Sequence, residues 1–320
     1  MQKLPSSPTS IADFALILRA GGLVAFPTET VYGLGADAGS SEAVLAIYEA
    51  KRRPRFNPLI AHCADLAMAE TLAVFSPLAK KLAALWPGPL TLVLPKLPGA
   101  PLSDLVTAGL DTVGVRIPNH PMALELIALT GRPLAGPSAN PSGRLSPTTA
   151  AQVVAGFGGT IPVLDGGACA AGLESTIIKV DGDEVVQLRA GAMPRTEIEA
   201  VLGRKIGKAS GHEGIVAPGM MASHYAPRAL LRLDAISPAD GEAYLAFGQA
   251  PHNWRGPMRN LSASADPREA ARNLFSMLHE LDAAGVDTIA VAPIPAAGLG
   301  EAINDRLARA AAPRDLTHSG

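Results

Sequence analysis

Cysteine and long apolar runs are both scarce in this sequence. The two cysteines, Cys63 and Cys169, are far apart and belong to no CxxC pair. This pattern excludes a zinc ribbon or a disulfide framework and is typical of a reducing compartment. No run reaches the roughly 18 apolar residues that span a membrane, and the first residues carry no apolar leader segment. We therefore expect a cytoplasmic protein that does not bind membranes.

An excess of positive charge is also absent. The 27 Lys and Arg residues are balanced by 29 Asp and Glu residues, which leaves a formal net charge of -2. Only 4% of the residues are aromatic. Proteins that bind a nucleic-acid backbone are normally basic, so the bulk charge argues against that class and leaves only a local basic groove open.

Several common functional motifs do not occur. The chain has no Walker-type GxxxxGK, no GxGxxG, no zinc-ligand spacing and no GxSxG nucleophile motif. A phosphate site in this chain must therefore be built from dispersed basic residues, and we expect no covalent nucleophile.

The length and the apolar pattern predict two α/β domains. The 320 residues exceed a typical domain of roughly 100–200 residues, and 48% of them are hydrophobic. Residues 1–202 alternate short apolar runs with helical periodicity, which predicts the first domain. Residues 203–227 have weak periodicity and several glycines, which is typical of a linker. Residues 228–320 again alternate strand-like and helical patterns, which predicts a small parallel α/β domain.

One predicted strand near the start of the chain ends in polar residues. Leu23–Phe26 is apolar, and Pro27 removes a backbone donor and ends the strand. Residues 28–30 then supply two hydroxyls and a carboxylate at a strand end, where open α/β sheets bind ligands. Gly33 and Gly35 permit close backbone approach. The simpler alternative is a strand-to-helix turn with capping hydroxyls.

Basic residues occur at three places that favour anion binding. Lys51–Arg55 holds four cations in five positions, which suits either a helix C-terminus or an oxyanion clamp. Arg116 lies in an apolar predicted strand, where a buried arginine needs a partner or a bound anion. No acid nearby in sequence lies on the same face, so we predict that Arg116 binds a carboxylate or phosphate. Arg189, after the strand-like run Val185–Leu188, is a further candidate for phosphate.

Two more predicted strand ends are rich in small polar groups. Gly136–Gly143 combines turn formers with hydroxyl and amide donors that could cradle a nucleotide. Gly172–Ile177 presents polar groups at another strand edge. Each pattern alone predicts no more than a turn.

Taken together, these stretches resemble the threonylcarbamoyl-AMP synthase family, also called the YrdC-like family. The matching segments follow the family order over roughly residues 10–200 and are Pro27–Leu34, Lys51–Arg53, Asn57–His62, Trp86–Thr91, Val115–Pro118, Pro137–Asn140 and Leu173–Ile177. Pro218–Met220 and His224–Pro227, followed by a small α/β domain, resemble the long version of the family. The resemblance implies an α/β fold with an N-terminal twisted mixed sheet, a linker that acts as a lid, and a smaller Rossmann-like parallel C-terminal domain.

The resemblance also implies a reaction. In this family L-threonine, bicarbonate and ATP give threonylcarbamoyl-AMP and pyrophosphate. The product supplies the group that a separate transferase installs on adenosine 37 of certain tRNAs. Mg²⁺ would accompany the ATP phosphates without a metal site on the protein. A weak tRNA or double-stranded-RNA contact and a homodimer are further expectations.

The family pattern assigns roles to residues of this chain. Thr30, His62, Arg116, Gly136 and Ser175 would hold L-threonine, with Arg116 pairing the carboxylate. The residues that would surround ATP are Lys51, Arg53, Asn57, Thr112, Ser138, Asn140, Ser146, Arg189 and Tyr225. Lys51 and Arg53 would be catalytic, because they would stabilise the charge that moves onto pyrophosphate.

Two rival functions are weaker. A double-stranded-RNA-binding or ribosome-associated module is favoured by Lys51–Arg55, but the net charge and the few aromatic residues argue against it. A carbamoyl transferase of the hydrogenase-maturation type carries cysteine-rich zinc modules, which two separate cysteines cannot build.

Overall fold

The computed structural model describes residues 8–209 and 217–313. The elements before residue 210 are α1 (Ile11–Arg19), β1 (Val24–Phe26), β2 (Gly33–Asp37), α2 (Ser41–Lys51), β3 (Ile60–His62), α3 (Leu66–Glu70), α4 (Pro77–Ala83), β4 (Leu90–Pro95), α5 (Asp104–Thr107), β5 (Thr112–Arg116), α6 (Pro121–Thr130), β6 (Leu134–Ala135), α7 (Ala150–Phe157), β7 (Thr176–Asp181), β8 (Glu184–Arg189), α8 (Arg195–Leu202) and β9 (Gly207–Lys208). The later elements are β10 (Leu230–Arg232), β11 (Ala243–Ala246), β12 (Met258–Asn260), α9 (Pro267–Ala283), β13 (Thr288–Val291) and α10 (Leu299–Ala311).

The first part of the chain forms one mixed sheet of nine strands. Their order is β1-β2-β6-β3-β5-β4-β7-β8-β9. The pairs β3–β5 and β4–β7 are parallel, whereas β4 and β5 are antiparallel. The expected mixed α/β sheet is therefore confirmed, and its central strands bring β3, β5 and β7 close together.

The second part forms a separate parallel sheet. Its four strands have the order β10-β13-β11-β12, and all three pairings are parallel. Leu245 and Val291, on β11 and β13, pack with Phe275 of α9 and Ile303 of α10 in one apolar cluster. The expected parallel α/β C-terminal fold is confirmed.

Local sequence signals explain where the first helices begin. The Ser10 side chain accepts from the Asp13 amide, and the Asp13 carboxylate accepts from the Ser10 amide, which forms a capping box for α1. The Ser40 side chain likewise accepts from the Ala43 amide at the start of α2. Both caps satisfy amides that the helix itself leaves unbonded.

Strand β2 is a difference from the sequence-based expectation. Glycines weaken a strand pattern, so Gly33 and Gly35 did not predict a strand there. In the structure the Phe26 ring of β1 packs over both glycines, and a Cβ on either would lie 2.9 Å from the ring. The two glycines are therefore required by the close approach of the aromatic ring.

The predicted linker, residues 203–227, is partly structured. Gly207–Lys208 forms β9 and pairs with β8, so the first sheet extends into the predicted linker. His224 and Tyr225 are buried. Residues 210–216 lie outside the described part of the chain, and the boundaries at 202 and 227 stay predictions.

The two parts of the chain share apolar packing. One cluster of buried side chains joins Val31, Leu145 and Leu173 of the first part to Leu274 and Phe275 of α9. Burial of such side chains is the main favourable contribution to folding. The C-terminal part is therefore joined to the first part through a common core.

Loss of a large side chain from this shared core is expected to destabilise the protein strongly. Phe275 is fully buried, so Phe275→Ala should lower the free energy of unfolding by about 3–5 kcal/mol, measured by urea denaturation. The matched control is Phe56→Ala, because the Phe56 side chain is 59% exposed and little apolar contact is lost. Similar losses in the two variants would show that the shared cluster does not stabilise the fold.

Candidate functional site

A small cavity collects most of the predicted site residues. About 40 Å³ is open to the centres of water molecules. The predicted residues that line it are Thr30, Arg53, His62, Arg116, Gly136, Ser138, Ser175, Arg189 and Tyr225. These residues come from separate strand ends and loops, so the fold brings together groups that are far apart in sequence.

The register of two parallel strands places His62 beside Arg116. His62 ends β3, Arg116 ends β5, and the two residues are direct register partners. Gly136 lies against the imidazole, because a Cβ there would be only 2.9 Å from His62 Nδ1. The Phe26 ring meets the imidazole edge-on, with 5.7 Å between the ring centroids. The chain has a glycine at position 136, and any larger residue would displace His62.

His62 is neutral and has an unused ring nitrogen. Burial, reinforced by the positive charge of Arg116, lowers the pKa of His62 to about 3. Nδ1 of His62 makes no hydrogen bond within the described part of the chain. A neutral imidazole can donate or accept one hydrogen bond at such a nitrogen, so His62 is available to a polar ligand.

Arg116 has an acidic partner, which differs from the expectation that none lies on its face. Glu29, in the loop after β1, places Oε2 2.7 Å from Nη2 of Arg116. Nε of Arg116 donates to the Gly88 carbonyl over 3.3 Å. Neither carboxylate oxygen of Glu29 makes a hydrogen bond of normal geometry with the described residues, so the contact is one of charge with charge. The partner was missed because Glu29 meets Arg116 only after the sheet has formed.

The hydroxyls at the strand ends are held in fixed positions. Thr28 and Thr30 share a hydrogen bond of 2.8 Å between their hydroxyls, and Thr28 also donates to the Val31 carbonyl over 2.7 Å. Ser175, just before β7, shares a hydrogen bond of 2.7 Å with Thr91 of β4. Thr30 and Ser175 therefore enter the cavity wall with their side chains already oriented.

Arg53 is buried and bonded to oxygens of its own loop. It donates to the Asn57 carbonyl over 3.2 Å, to the Asn57 side chain over 2.6 Å and to the Pro58 carbonyl over 2.9 Å. Burial lowers the pKa of Arg53 to about 10, which still leaves the guanidinium charged at neutral pH. Arg53 thus contributes a fixed positive charge to the cavity.

Lys51 lies behind the cavity wall rather than in it. Its ammonium group donates to the carbonyls of Ser138 and Asn140. Burial, reinforced by the charge of Arg53, lowers the pKa of Lys51 well below its ordinary value. Lys51 therefore orders the loop that carries Ser138, and its predicted contact with phosphate is not tested by this arrangement.

The remaining predicted ATP residues do not line the cavity. Thr112 begins β5, at the opposite end of that strand from Arg116. The side-chain amide of Asn140 donates to the Pro141 carbonyl over 2.8 Å and to the Arg144 carbonyl over 2.9 Å. Ser146 donates to a carboxylate oxygen of Glu174. The side-chain oxygen of Asn57 accepts a hydrogen bond from Arg53. Their predicted contacts with ATP stay predictions.

Residues 218–225 close the cavity on one side. Arg189 donates to the Pro218 carbonyl over 3.1 Å and to the Ser175 carbonyl over 2.8 Å, so one guanidinium joins this segment to β7. Gly219 has a positive φ of +80°, and a Cβ there would lie 2.6 Å from the Tyr225 hydroxyl oxygen. His224 and Tyr225 pack with 4.0 Å between their ring centroids. The segment therefore fits tightly against the cavity.

Two ionisable residues of the cavity wall have no role predicted from the sequence. Glu174 and His224 both line the cavity. Burial lowers the pKa of His224 to about 3, so this imidazole is neutral. Glu174 lies inside the matched segment Leu173–Ile177, and a carboxylate next to predicted ligand residues is the signal that could have found it.

The described residues show no built-in metal site or membrane span. Within them, no group of three or more His, Cys, Asp or Glu side chains is placed to hold a metal ion. None of the described helices has both the length and the apolar character needed to cross a bilayer.

Comparison with known proteins extends these observations to the whole chain. The family described as "Telomere recombination" matches residues 16–191, and the threonylcarbamoyl-AMP synthase C-terminal domain matches residues 193–312. The threonylcarbamoyl-AMP synthase of Bacillus subtilis is 40% identical over 98% of this chain and 96% of its own length. That of Pyrococcus abyssi is 44% identical over 92% of this chain and 91% of its own length.

Solved structures agree with the sequence matches. The crystal structure of P. abyssi Sua5 complexed with L-threonine has a TM-score of 0.86 and 40% identity, covering 94% of each chain. Full-length HypF, at 19% identity and a TM-score of 0.52, covers 59% of this chain and 30% of its own, and shows a similar fold alone. The family models, the relatives that match over nearly the whole chain and the shared two-part fold show that the chain belongs to the threonylcarbamoyl-AMP synthase family.

Proposed function

We propose that this protein condenses L-threonine, bicarbonate and ATP to threonylcarbamoyl-AMP and pyrophosphate. The observation that carries the proposal is the convergence of Arg53, Arg116 and Arg189 on one cavity that also holds the Thr30 and Ser175 hydroxyls. Three cations suit a substrate with a carboxylate and a nucleotide with phosphates. Relatives of full length that carry the name threonylcarbamoyl-AMP synthase support the same activity.

The cavity suits an amino acid in size and chemistry. Its 40 Å³ corresponds to about three or four waters, because one water needs about 10–15 Å³ of such space. We assign the threonine carboxylate to Arg116, in place of or beside Glu29. The neutral imidazole of His62 and the hydroxyls of Thr30 and Ser175 then offer hydrogen bonds to the polar groups of threonine.

ATP needs more room than the closed cavity offers. We infer that residues 218–225 move outward to admit the nucleotide and return over it as a lid. The hydrogen bond from Arg189 to the Pro218 carbonyl would break in the open state, which frees part of that guanidinium for phosphate. Closure of such a segment excludes water from the reactive adenylate.

The chain's own residues would act mainly by position and charge. A carbamate formed on the threonine nitrogen is a weak and short-lived nucleophile. Holding it in line with the α-phosphate would therefore give most of the rate enhancement. Arg53 and Arg189 would stabilise the negative charge that moves onto pyrophosphate. Lys51 would assist by ordering the Ser138 loop, or directly if that loop shifts when ATP binds.

A magnesium ion is expected to arrive with ATP and to be held by the ATP phosphates. Bound Mg²⁺ would neutralise charge on the triphosphate.

Further expectations concern the cellular setting of the reaction. We propose a cytoplasmic nucleotidyltransferase whose product passes to a separate transferase that modifies adenosine 37 of tRNA. A homodimer and a weak contact with tRNA or double-stranded RNA stay predictions. A purely RNA-binding function is not favoured, because relatives over nearly the whole chain are named as the synthase.

The overall reaction is tested by omitting each substrate in turn. With ATP, Mg²⁺, L-threonine and bicarbonate present, we expect steady release of pyrophosphate and formation of threonylcarbamoyl-AMP, detected by coupled assay and mass spectrometry. Removing threonine or bicarbonate should abolish both signals. Pyrophosphate release that does not depend on threonine would contradict the proposed substrate.

The assigned role of Arg116 predicts an effect confined to one substrate. Arg116→Ala should raise the KM for threonine by about tenfold or more, because a hydrogen bond to a charged group contributes about 1.5–3 kcal/mol. The KM for ATP should change much less. Steady-state kinetics with each substrate varied provide the measurement, and an equal rise of both constants would rule out a carboxylate contact.

Arg53 and Arg55 form a natural pair for testing the catalytic cation. Arg53 is buried in the cavity wall, whereas Arg55 is exposed. Arg53→Ala should lower kcat/KM by about 10²–10³, the loss seen when one oxyanion-stabilising donor is removed. Arg55→Ala should leave kcat/KM close to that of the unaltered protein. Melting temperatures of both variants control for folding, and a small effect of Arg53→Ala in a folded protein would refute the assignment.

A further inference from the structure

The C-terminal part of the chain places one arginine against the back of the cavity. Arg306, on α10, is 1% exposed. It is the largest fully buried side chain among the described residues. Arginine is almost never fully buried unless it is paired. Its position therefore calls for an explanation in terms of the groups that it contacts.

All but one of the contacts of Arg306 join it to residues that line the cavity or adjoin a residue of its wall. Nε donates to Glu174 Oε2 over 2.8 Å, and Nη2 donates to the Ala190 carbonyl over 2.9 Å. The guanidinium carbon lies 5.1 Å from the centroid of the Tyr225 ring, within cation–π range. Glu174 and Tyr225 line the cavity, and Ala190 directly follows Arg189. The remaining contact is Nη1 to Asp305 on the same helix, over 2.6 Å.

Glu174 explains why a positive charge is needed at this place. It is a buried carboxylate in the wall of a cavity that we assign to anionic substrates. Burial alone would raise the pKa of Glu174, but the charges of Arg306 and Arg189 and a hydrogen bond from Ser146 hold it below its ordinary value. Glu174 therefore stays ionised, and without Arg306 its charge would repel the triphosphate.

Tyr225 gives the second link between Arg306 and the site. Its ring lies between the Arg306 guanidinium, the His224 ring and Phe275, whose ring centroid is 5.6 Å away. Phe275 belongs to α9, so both C-terminal helices support this tyrosine. Residues of the C-terminal part therefore support the segment 218–225 from behind.

We propose that Arg306 is a positioning residue through which the C-terminal domain prepares the ATP site, by balancing the charge of Glu174 and by supporting Tyr225. The inference rests on the proposed function, because it takes the nucleotide to lie beside Glu174. It assigns the C-terminal domain a part in substrate binding in addition to its packing on the first domain.

Variants at the two ends of the ion pair should have opposite effects on ATP. Arg306→Met leaves Glu174 unbalanced and should raise the KM for ATP by about tenfold or more, since tenfold is the effect of one like charge about 12 Å from a phosphate at an effective dielectric constant near 20 and a nearer charge acts more strongly. Glu174→Gln removes the negative charge and should lower the KM for ATP. The KM for threonine should change less in both variants, because threonine binds as a zwitterion without net charge.

The double variant and two controls separate charge from packing. Adding Glu174→Gln to Arg306→Met should bring the KM for ATP back toward that of the unaltered protein. Arg306→Lys, which keeps the charge but loses the planar fork, should lie between the unaltered protein and Arg306→Met. Arg268→Met removes an exposed contact of 3.7 Å between α9 and Glu197 of α8 and should leave the kinetics unchanged.

A merely structural Arg306 predicts a different set of results. Both single variants would then lower stability and raise the two KM values together, with no recovery in the double variant, and this outcome would overturn the proposal. If Arg306→Met does not fold, Glu174→Gln decides the question, because a raised KM for ATP in that variant contradicts the proposal.

A direct measurement of ATP binding tests the role of Arg306 separately from the proposed reaction. Calorimetric titration with ATP and Mg²⁺, without threonine, should rank the unaltered protein and its variants by ATP affinity in the same order as their KM values for ATP. Normal ATP binding without threonine-dependent release of pyrophosphate would contradict the reaction but leave the test of Arg306 intact. If the unaltered protein does not bind ATP, both proposals are wrong.

Discussion

Burial of positive charge is the constraint on which the site depends. Arg53, Arg116, Arg189 and Arg306 are all nearly inaccessible to solvent, and a buried charge is costly unless it is hydrogen-bonded or paired. Most of their hydrogen bonds go to backbone carbonyls, which satisfy the donors without cancelling the charge. The cavity is thus prepared for an anion while its cations remain compatible with a folded protein.

Two carboxylates complete this balance and divide the site into two regions. Glu29 faces Arg116 beside His62, in the region that we assign to threonine. Glu174 faces Arg306 beside Arg189, in the region that we assign to the nucleotide. Each acid comes from a strand end of the first sheet, so the same topology that gathers the cations also supplies their partners. Threonine would replace or join Glu29 at Arg116, whereas Glu174 would stay paired with Arg306 when the nucleotide binds.

The sequence predicted those parts of this arrangement that depend only on residues near each other in the chain. Caps such as Ser10 and an arginine in an apolar strand, Arg116, are visible because the neighbouring residues determine them. The partnership of Arg116 with Glu29 was not visible, because it depends on the order of β1 and β5 in the sheet. Arg306 was also missed, since one arginine in an amphipathic helix is ordinarily exposed. The role of Lys51 stays a prediction, because its side chain donates to carbonyls that only the folded loop provides.

The backbone conformation of Tyr225 affects the free energy of the closed segment 218–225. Its φ of +63° lies in the left-handed region, which costs a residue with a Cβ about 1–2 kcal/mol. The stacking on His224 and the contacts with α9 and α10 must outweigh this cost whenever the segment is closed. Were the segment to open as proposed and Tyr225 to leave this conformation, that free energy would be returned, and opening would cost less than the contacts alone imply.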